Sequence, residues 1–156
     1  MPATIRPYTA ADRAAMVTVY YRAIREGAAA FYSEAERAAW ATSPVPNPDK
    51  PDKLLDQWCY VAEENGHLTG FMSMEPQGHL DMAFVLPEVM GNGTAAALYE
   101  TLMAHARARG LRHFTVKAAH QSNRFLARRG WQVDRFERMP ADGQVYDIFH
   151  MSLTLP

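Results

Sequence analysis

The sequence has 156 residues, 48% of them hydrophobic and 21% charged, with a formal net charge of −1 and one cysteine. This length suits one domain with a sizeable core, and we expect a single domain over residues 1–156. The balanced charge argues against nucleic acid or an anionic membrane as partner, and one cysteine excludes an internal disulfide. The sequence shows no signal-peptide core and no apolar run of membrane-spanning length, so we expect a cytoplasmic protein of bacterial type.

The first third of the chain predicts a strand, two helices and a loop. A short strand at residues 4–9 precedes apolar residues at helical spacing from Ala10 to about Ala30. In the next helical segment, Ser33 and Glu36 have the spacing of a capping box. Four prolines between residues 44 and 51 indicate a surface loop, because proline lacks the amide that a helix or sheet requires.

The rest of the chain predicts a strand meander and one crossover. Asn65-Gly66 is a signal for a type I′ hairpin turn between the first two strands. The predicted elements are strands at 58–63, 68–75 and 79–86, a helix at 94–109, a strand at 113–119, a short helix at 122–130, and hairpin strands at 131–140 and 144–155. This order predicts an α+β domain around a mixed sheet, with one right-handed crossover through the helix at 94–109.

A glycine-bearing turn, Gly91-Asn92-Gly93-Thr94, follows the third meander strand and opens that helix. A helix N-terminus has unpaired amides and partial positive charge, and glycines allow an anion to approach the backbone closely, so the turn is suited to phosphate. A P-loop would need a lysine after Gly93, and none is present. The dinucleotide fingerprint matches residues 91–96 formally, but four residues separate the glycines from the strand, and the next strand has no acidic end.

The segment resembles the coenzyme A-binding signature of the GNAT (Gcn5-related N-acetyltransferase) superfamily. In that signature a strand ending Val-x-Pro leads into Gln/Arg-x-x-Gly-x-Gly/Ala at a helix start. Here Val85-Leu86-Pro87 provides the strand end, and Gly93 and Ala95 occupy the two small-residue positions. Met90 stands in the Gln/Arg position and departs from the pattern. Because the turn contributes mainly backbone amides, we expect Met90 still to donate its N–H.

A later segment, FLARRGWQV, resembles the second motif of the same family. Three positions match, namely Phe125, Gly130 and Trp131. Leu126 stands where many relatives have a tyrosine that protonates the departing thiolate, and Ala119 stands where many have a cofactor-contacting asparagine. We expect Asn123 to replace that asparagine in part.

The resemblance implies a fold, a cofactor and a reaction. The implied fold is a GNAT-like mixed, mainly antiparallel sheet with a bulged, splayed strand and flanking helices. The implied cofactor is acetyl-coenzyme A, and its acetyl group would pass to a primary amine of a small molecule, amino acid or peptide. The predicted cofactor-binding residues are Phe84, Val85, Met90, Gly91, Asn92, Gly93, Thr94, Ala95, Ala96 and Asn123.

Three side chains are the predicted catalytic residues. His79 lies close to where several relatives carry their general base, and a histidine has a suitable pKa for that role. If the strand alternates regularly, His79 and Asp81 share one face with Ala83 and Val85, so Asp81 orients His79 or binds the amine. A solvated His79 and a structural Asp81 are the alternatives. Tyr146 is the predicted acid, and Ser122 or a water is the alternative. We expect no metal, because no third ligand has a suitable spacing.

The acceptor amine is predicted to lie among aromatic residues of the first two helices, with Tyr32 and Trp40 as substrate-binding residues. The alternative for these residues is helix packing. Two other functions stay open at this stage: a non-catalytic coenzyme A-binding sensor or regulatory protein, and a dinucleotide oxidoreductase. A homodimer through exposed terminal strands is also possible on this sequence.

Overall fold

The computed structural model describes residues 3–156. Its strands and helices are β1 (Thr4–Pro7), α1 (Arg13–Arg25), α2 (Glu34–Trp40), β2 (Trp58–Glu64), β3 (His67–Met74), β4 (His79–Val85), α3 (Thr94–Ala108), β5 (His113–Ala118), α4 (His120–Ala127), β6 (Gln132–Ala141) and β7 (Gln144–Thr154). Single 3₁₀ turns precede α1, β2 and α3. The predicted order of strands and helices is confirmed.

The strands form one seven-stranded sheet in the order β1-β2-β3-β4-β5-β7-β6. Only the β4–β5 pair is parallel, and it is the pair that the α3 crossover joins. The other neighbouring pairs are antiparallel. The predicted mixed, mainly antiparallel sheet with flanking helices is therefore confirmed.

Turn chemistry and helix capping follow the local sequence. Asn65 and Gly66 have φ values of 53° and 81°, the left-handed conformation that a type I′ hairpin requires. At the start of α2, the Glu36 N–H donates to Ser33 Oγ over 3.1 Å, and the Ser33 N–H donates to Glu36 Oε1 over 2.8 Å. The predicted capping box is thus confirmed.

Helix α1 ends earlier than its apolar spacing predicts, at Arg25 instead of about Ala30. The next residues form turns, in which the N–H groups of Phe31 and Tyr32 both donate to the Ala28 carbonyl. This change of direction carries Tyr32 under α2, where it is buried. A continuous helix would have pointed the same side chain elsewhere.

Helices cover both faces of the sheet, and a core lies on each side. On one face, Leu98, Leu102 and Ala106 of α3 are fully buried, as their common helical face predicted. On the other face, Met16 and Val19 of α1 pack in a cluster with the central strands. Within residues 3–156, no helix is both long and apolar enough to cross a lipid bilayer.

Candidate active site

The site lies where β4 and β5 separate. The two strands pair only at His79–Thr115 and Leu80–Val116. Beyond these pairs β4 continues along β3 as far as Val85, while β5 continues along β7. The divergence opens a V-shaped cleft in the middle of the sheet, as the family resemblance implied.

A β-bulge marks the point of divergence. Ser73 of β3 pairs with Met82, but the next residue, Met74, pairs with Leu80, so Asp81 is the extra residue of β4. The bulge interrupts strict alternation: Leu80 and Ala83 both pack on the α3 side of the sheet. The predicted common face of His79, Asp81, Ala83 and Val85 was therefore wrong, because the prediction assumed a strand without a bulge.

The cleft has a volume of about 480 Å³ and runs from the glycine turn to the aromatic residues of α1 and α2. Most of its wall is apolar. Among the described residues, the charged side chains that line it are Asp81, Lys117 and Asp142. It is long enough to border the α3 N-terminus at Gly91 and Ala95 and also the β6–β7 hairpin at Tyr146. One elongated ligand and a second, smaller one can therefore meet inside it.

The turn before α3 presents free backbone donors to one end of this cleft. Gly91 and Gly93 have φ values of 81° and 93°, and a Cβ added to either would meet open space. Among residues 3–156, the amides of Gly91, Gly93, Ala95 and Ala96 donate to no protein acceptor. Four unpaired N–H groups at the N-terminus of a 15-residue helix form a site for an anion.

Three amides predicted to bind the cofactor are already used within the turn. The Met90 N–H donates to the Pro87 carbonyl and the Asn92 N–H to the Val89 carbonyl. The Thr94 N–H and hydroxyl both donate to Asn92 Oδ1, at 3.0 and 2.6 Å. Gly93 is the N-cap of α3. The structure thus differs from the expectation that Met90 donates its N–H to a phosphate.

The two strand residues predicted to hold the cofactor differ in orientation. The Leu86 N–H donates to the Thr69 carbonyl of β3, and in an antiparallel pair the amides face the partner at every second residue. Hence the backbone N–H and C=O groups of Phe84 point toward β3, and those of Ala83 and Val85 point toward the cleft. Phe84 lines the cleft with its side chain. Asn123 does not line it, whereas its neighbours Gln121 and Ser122 do.

Asp81 is a half-buried carboxylate with one oxygen engaged. Its Oδ2 accepts from Gln57 Nε2 at 2.8 Å and lies 2.9 Å from Lys53 Nζ. Among the described residues, Oδ1 has no hydrogen-bond partner. Burial raises the pKa of Asp81, but the hydrogen bonds from Gln57 and Lys53 outweigh burial and bring it below its usual value. Asp81 is therefore ionised at neutral pH, and this cleft-lining carboxylate has one oxygen without a hydrogen-bond partner among the described residues.

The other two predicted catalytic residues lie in different settings. His79 is bonded through Nδ1 to Thr115 Oγ1 at 2.8 Å and does not line the cleft. Tyr146 does line it, and its hydroxyl donates to the Glu36 carbonyl at 2.8 Å. Burial raises the pKa of Tyr146, so its hydroxyl is protonated at neutral pH. Leu126, in the place of the family's tyrosine, is buried and borders the same cleft.

The predicted substrate-binding residues belong to an aromatic group at the far end of the cleft. The Trp40 ring centroid is 5.4 Å from Tyr32, 5.9 Å from Tyr146 and 6.5 Å from Phe84. Tyr20 of α1 joins the group, 4.9 Å from Phe84. Edge-to-face angles dominate, as is usual for aromatic pairs. Tyr32 and Trp40 pack the helices against the sheet, which confirms the packing interpretation, and both also line the cleft, where substrate binding stays a prediction.

Sequence reasoning missed several side chains around the site. Lys53 and Gln57 come from the segment before β2 and reach Asp81 across 28 and 24 residues. His120 Nε2 lies 3.0 Å from Asp147 Oδ2, and the His120 ring stacks on Phe31. No local pattern signals these pairings, because the tertiary fold alone brings the partners together.

The comparison with protein families identifies the fold's family. A protein-family model described as "Acetyltransferase (GNAT) domain" matches residues 25–155 of this chain. The chain belongs to the GNAT family. As a GNAT protein it is an acetyltransferase that depends on acetyl-coenzyme A, which agrees with the resemblance of residues 85–95 to the family signature.

GNAT relatives match almost the whole chain. YafP of Escherichia coli (strain K12), called an uncharacterized N-acetyltransferase, is 29% identical over 147 residues, covering 94% of this chain and 93% of YafP. A GCN5-related N-acetyltransferase from Rhodopseudomonas palustris (named also aminotransferase, class-II) superposes with a TM-score of 0.88 at 27% identity, covering 99% of this chain and 97% of its own. PaiA N-acetyltransferase from Thermoplasma acidophilum, crystallised in complex with coenzyme A, has a TM-score of 0.74 at 18% identity over 99% of both chains. The PaiA likeness concerns the fold alone.

Proposed function

We propose that the protein transfers the acetyl group of acetyl-coenzyme A directly to a primary amine of a small molecule, amino acid or peptide. The observation that carries this proposal is the set of four unpaired amides at the start of α3, which opens on the cleft between β4 and β5. YafP is named an N-acetyltransferase, which supports an amine as acceptor, and PaiA, which has the same fold, was solved with coenzyme A, which supports that cofactor.

Backbone groups would hold the cofactor. The amides of Gly91, Gly93, Ala95 and Ala96 are suited to its pyrophosphate, because unpaired N–H groups and the positive end of the helix dipole attract anions. The main chain of Ala83 and Val85, which β5 leaves unpaired, is suited to the amides of the pantetheine arm. Cofactor bound in this way would supply an activated acetyl group on sulfur.

Asp81 is the residue we assign to the acceptor amine. Its free Oδ1 can accept a hydrogen bond from the nitrogen and stabilise the positive charge that grows on nitrogen as the new C–N bond forms. Its lowered pKa makes it a poor match for a general base at neutral pH, because an effective base has a pKa near the working pH. We assign proton acceptance to His79, two residues away, with a water between it and the amine.

Tyr146 is the residue we assign to the departing thiolate, in place of the family's tyrosine at position 126. As the C–S bond breaks, the sulfur needs a proton, and the Tyr146 hydroxyl can donate one after turning from the Glu36 carbonyl. A raised pKa keeps that proton available at neutral pH.

The test measures thiol release from acetyl-coenzyme A in the presence of a panel of amines. We expect release to depend on the amine, and acetylated product to appear by mass spectrometry. Asp81→Asn and Tyr146→Phe should each lower kcat at least about tenfold, in line with the usual contribution of one positioned group. Glu100→Gln, a substitution at an exposed position outside the cleft, is the control. Tight coenzyme A binding without release for any amine would instead indicate a sensor or regulatory protein.

His79 needs a separate test, because its side chain lies outside the cleft wall. If His79 takes the proton, His79→Ala should lower kcat/KM and change its dependence on pH, because the group that accepts the proton contributes to that dependence. His79→Gln, which retains a hydrogen bond to Thr115, separates loss of titration from loss of structure. A pH profile that both substitutions leave unchanged would exclude His79 from proton transfer.

We also propose a homodimer through β6, which is the edge strand of the sheet opposite β1. Val133 and Phe136 project from the β6–β7 hairpin with 47% and 50% of their surface exposed. Around Phe136 the charges are self-complementary, because a two-fold axis there sets Arg135 of each copy opposite Glu137 of the other. By sedimentation we expect a dimer of the natural chain and a monomer of Phe136→Asp.

For location we propose the bacterial cytoplasm, which suits the unpaired Cys59.

A further inference from the structure

We propose that the acceptor is an arylalkylamine, a cationic amine with an aromatic body and no carboxylate beside the nitrogen. This inference rests on the proposed function and deepens it. It comes from the acceptor end of the cleft, defined by five side chains: Tyr20, Tyr32, Trp40, Asp81 and Tyr146.

The aromatic side chains there can enclose an apolar body. Trp40 lies at the centre of the group, within 6.5 Å of the rings of Tyr32, Phe84 and Tyr146. These rings come from α1, α2, β4 and β7 and from the turn after α1, so they line the end of the cleft from several sides. An aromatic ring inserted among them gains apolar burial and edge-to-face contacts that a hydrophilic amine does not.

One fixed negative charge lies beside this aromatic group. Asp81 lines the cleft, Lys53 and Gln57 contact its Oδ2, and its Oδ1 has no hydrogen-bond partner among the described residues. Tyr20 and Asp81 line the same cleft, and the Tyr20 ring centroid lies 4.9 Å from that of Phe84, which is three residues from Asp81 on β4. A ligand whose ring contacts Tyr20 and Trp40 can therefore place its nitrogen at Asp81.

The same arrangement disfavours an α-amino acid. In an amino acid the carboxylate is two bonds from the nitrogen, so a nitrogen on Asp81 brings two like charges together. Lys53, which pairs with Asp81 Oδ2, is 59% exposed, so solvent screens its charge and it offsets this repulsion only in part. Among the described residues, Lys117 is the only cation in the cleft wall, and it lies on β5, across the divergence from Asp81. Removal of the substrate carboxylate should consequently improve binding and turnover.

The experiment compares three probes on the full chain with acetyl-coenzyme A: 2-phenylethylamine, phenylalanine and ethanolamine. We expect kcat/KM for 2-phenylethylamine to exceed that for either of the others at least tenfold. Trp40→Leu should reduce this preference over ethanolamine to less than threefold. Trp58→Phe, a tryptophan substitution outside the cleft, should keep it. Equal or faster turnover of phenylalanine or ethanolamine would overturn the amine class and leave the proposed function standing.

Binding tests the inference even when no transfer occurs. In calorimetry with coenzyme A present, 2-phenylethylamine should bind at least tenfold more tightly than phenylalanine, and Asp81→Asn should remove that difference. No thiol release together with this binding pattern would reject the proposed transfer and retain the amine site. Equal binding of the two probes would overturn the inference.

Discussion

The substitution Gly93→Asp tests the anion site directly. Gly93 is the N-cap of α3 at a φ of 93°, and a side chain there meets open space. Any substitution strains the backbone, since L residues rarely adopt this conformation. Gly93→Asn introduces the same strain and nearly the same volume as aspartate without the charge. The difference between the Asp and Asn variants therefore isolates the electrostatic effect on cofactor binding.

Coulomb's law gives the magnitude. Two unit negative charges about 6 Å apart, at an effective dielectric constant of about 20, repel by about 3 kcal/mol. Because solvent at the open turn screens part of this repulsion, we expect the Asp variant to bind coenzyme A more weakly than the Asn variant by about 2 to 3 kcal/mol. This corresponds to about a 30- to 150-fold larger Kd.

Isothermal titration calorimetry with coenzyme A measures both variants at low and high salt. The difference should shrink at high salt, because ions screen exposed charges. Thermal unfolding of the two free variants provides the control, and their midpoints should agree within a few degrees. Equal Kd values for the Asp and Asn variants would refute the reasoning, because the amides of residues 91–96 could not then face a phosphate.

Three further predictions concern stability and reactivity. The Arg6 hydrogen bond lowers the pKa of Asp12 below its ordinary value of 3.8. Asp12→Asn should therefore reduce the unfolding free energy by about 1 to 3 kcal/mol at pH 7. The stability difference between the natural chain and the variant should disappear as the pH falls through the pKa of Asp12 in the folded protein. Equal stability differences in urea unfolding at pH 7 and pH 3 would contradict this. Burial raises the pKa of the Cys59 thiol to about 12, so Ellman's reagent should label it only in unfolded protein, and rapid labelling of the native protein would contradict its burial. A Cβ on Gly70 would lie 2.8 Å from Val85 Cγ1, so Gly70→Ala should destabilise the protein by about 1 to 3 kcal/mol in urea unfolding, and an unchanged midpoint would count against this close packing.

Interactions between residues close in sequence were readable before the structure. The Asn65-Gly66 turn and the Ser33–Glu36 capping box depend on groups within four residues of one another, so the local chain fixes them. The amphipathic spacing of α3 likewise predicted which of its side chains are buried. The same locality explains why α1 was predicted too long, since the turn at residues 26–32 leads Tyr32 into a distant cluster.

The sequence by itself determined the order of strands and helices, the glycine turn and the family signature, because each is written in contiguous residues whose backbone preferences decide the outcome. Only the tertiary structure decided which amides of that turn stay free, that the bulge falls at Asp81, and that Lys53 and Gln57 bind one oxygen of its carboxylate. These features depend on strand register and on contacts between residues far apart in the chain. Register and distant contacts arise from the packing of the whole sheet, which no short stretch of sequence specifies.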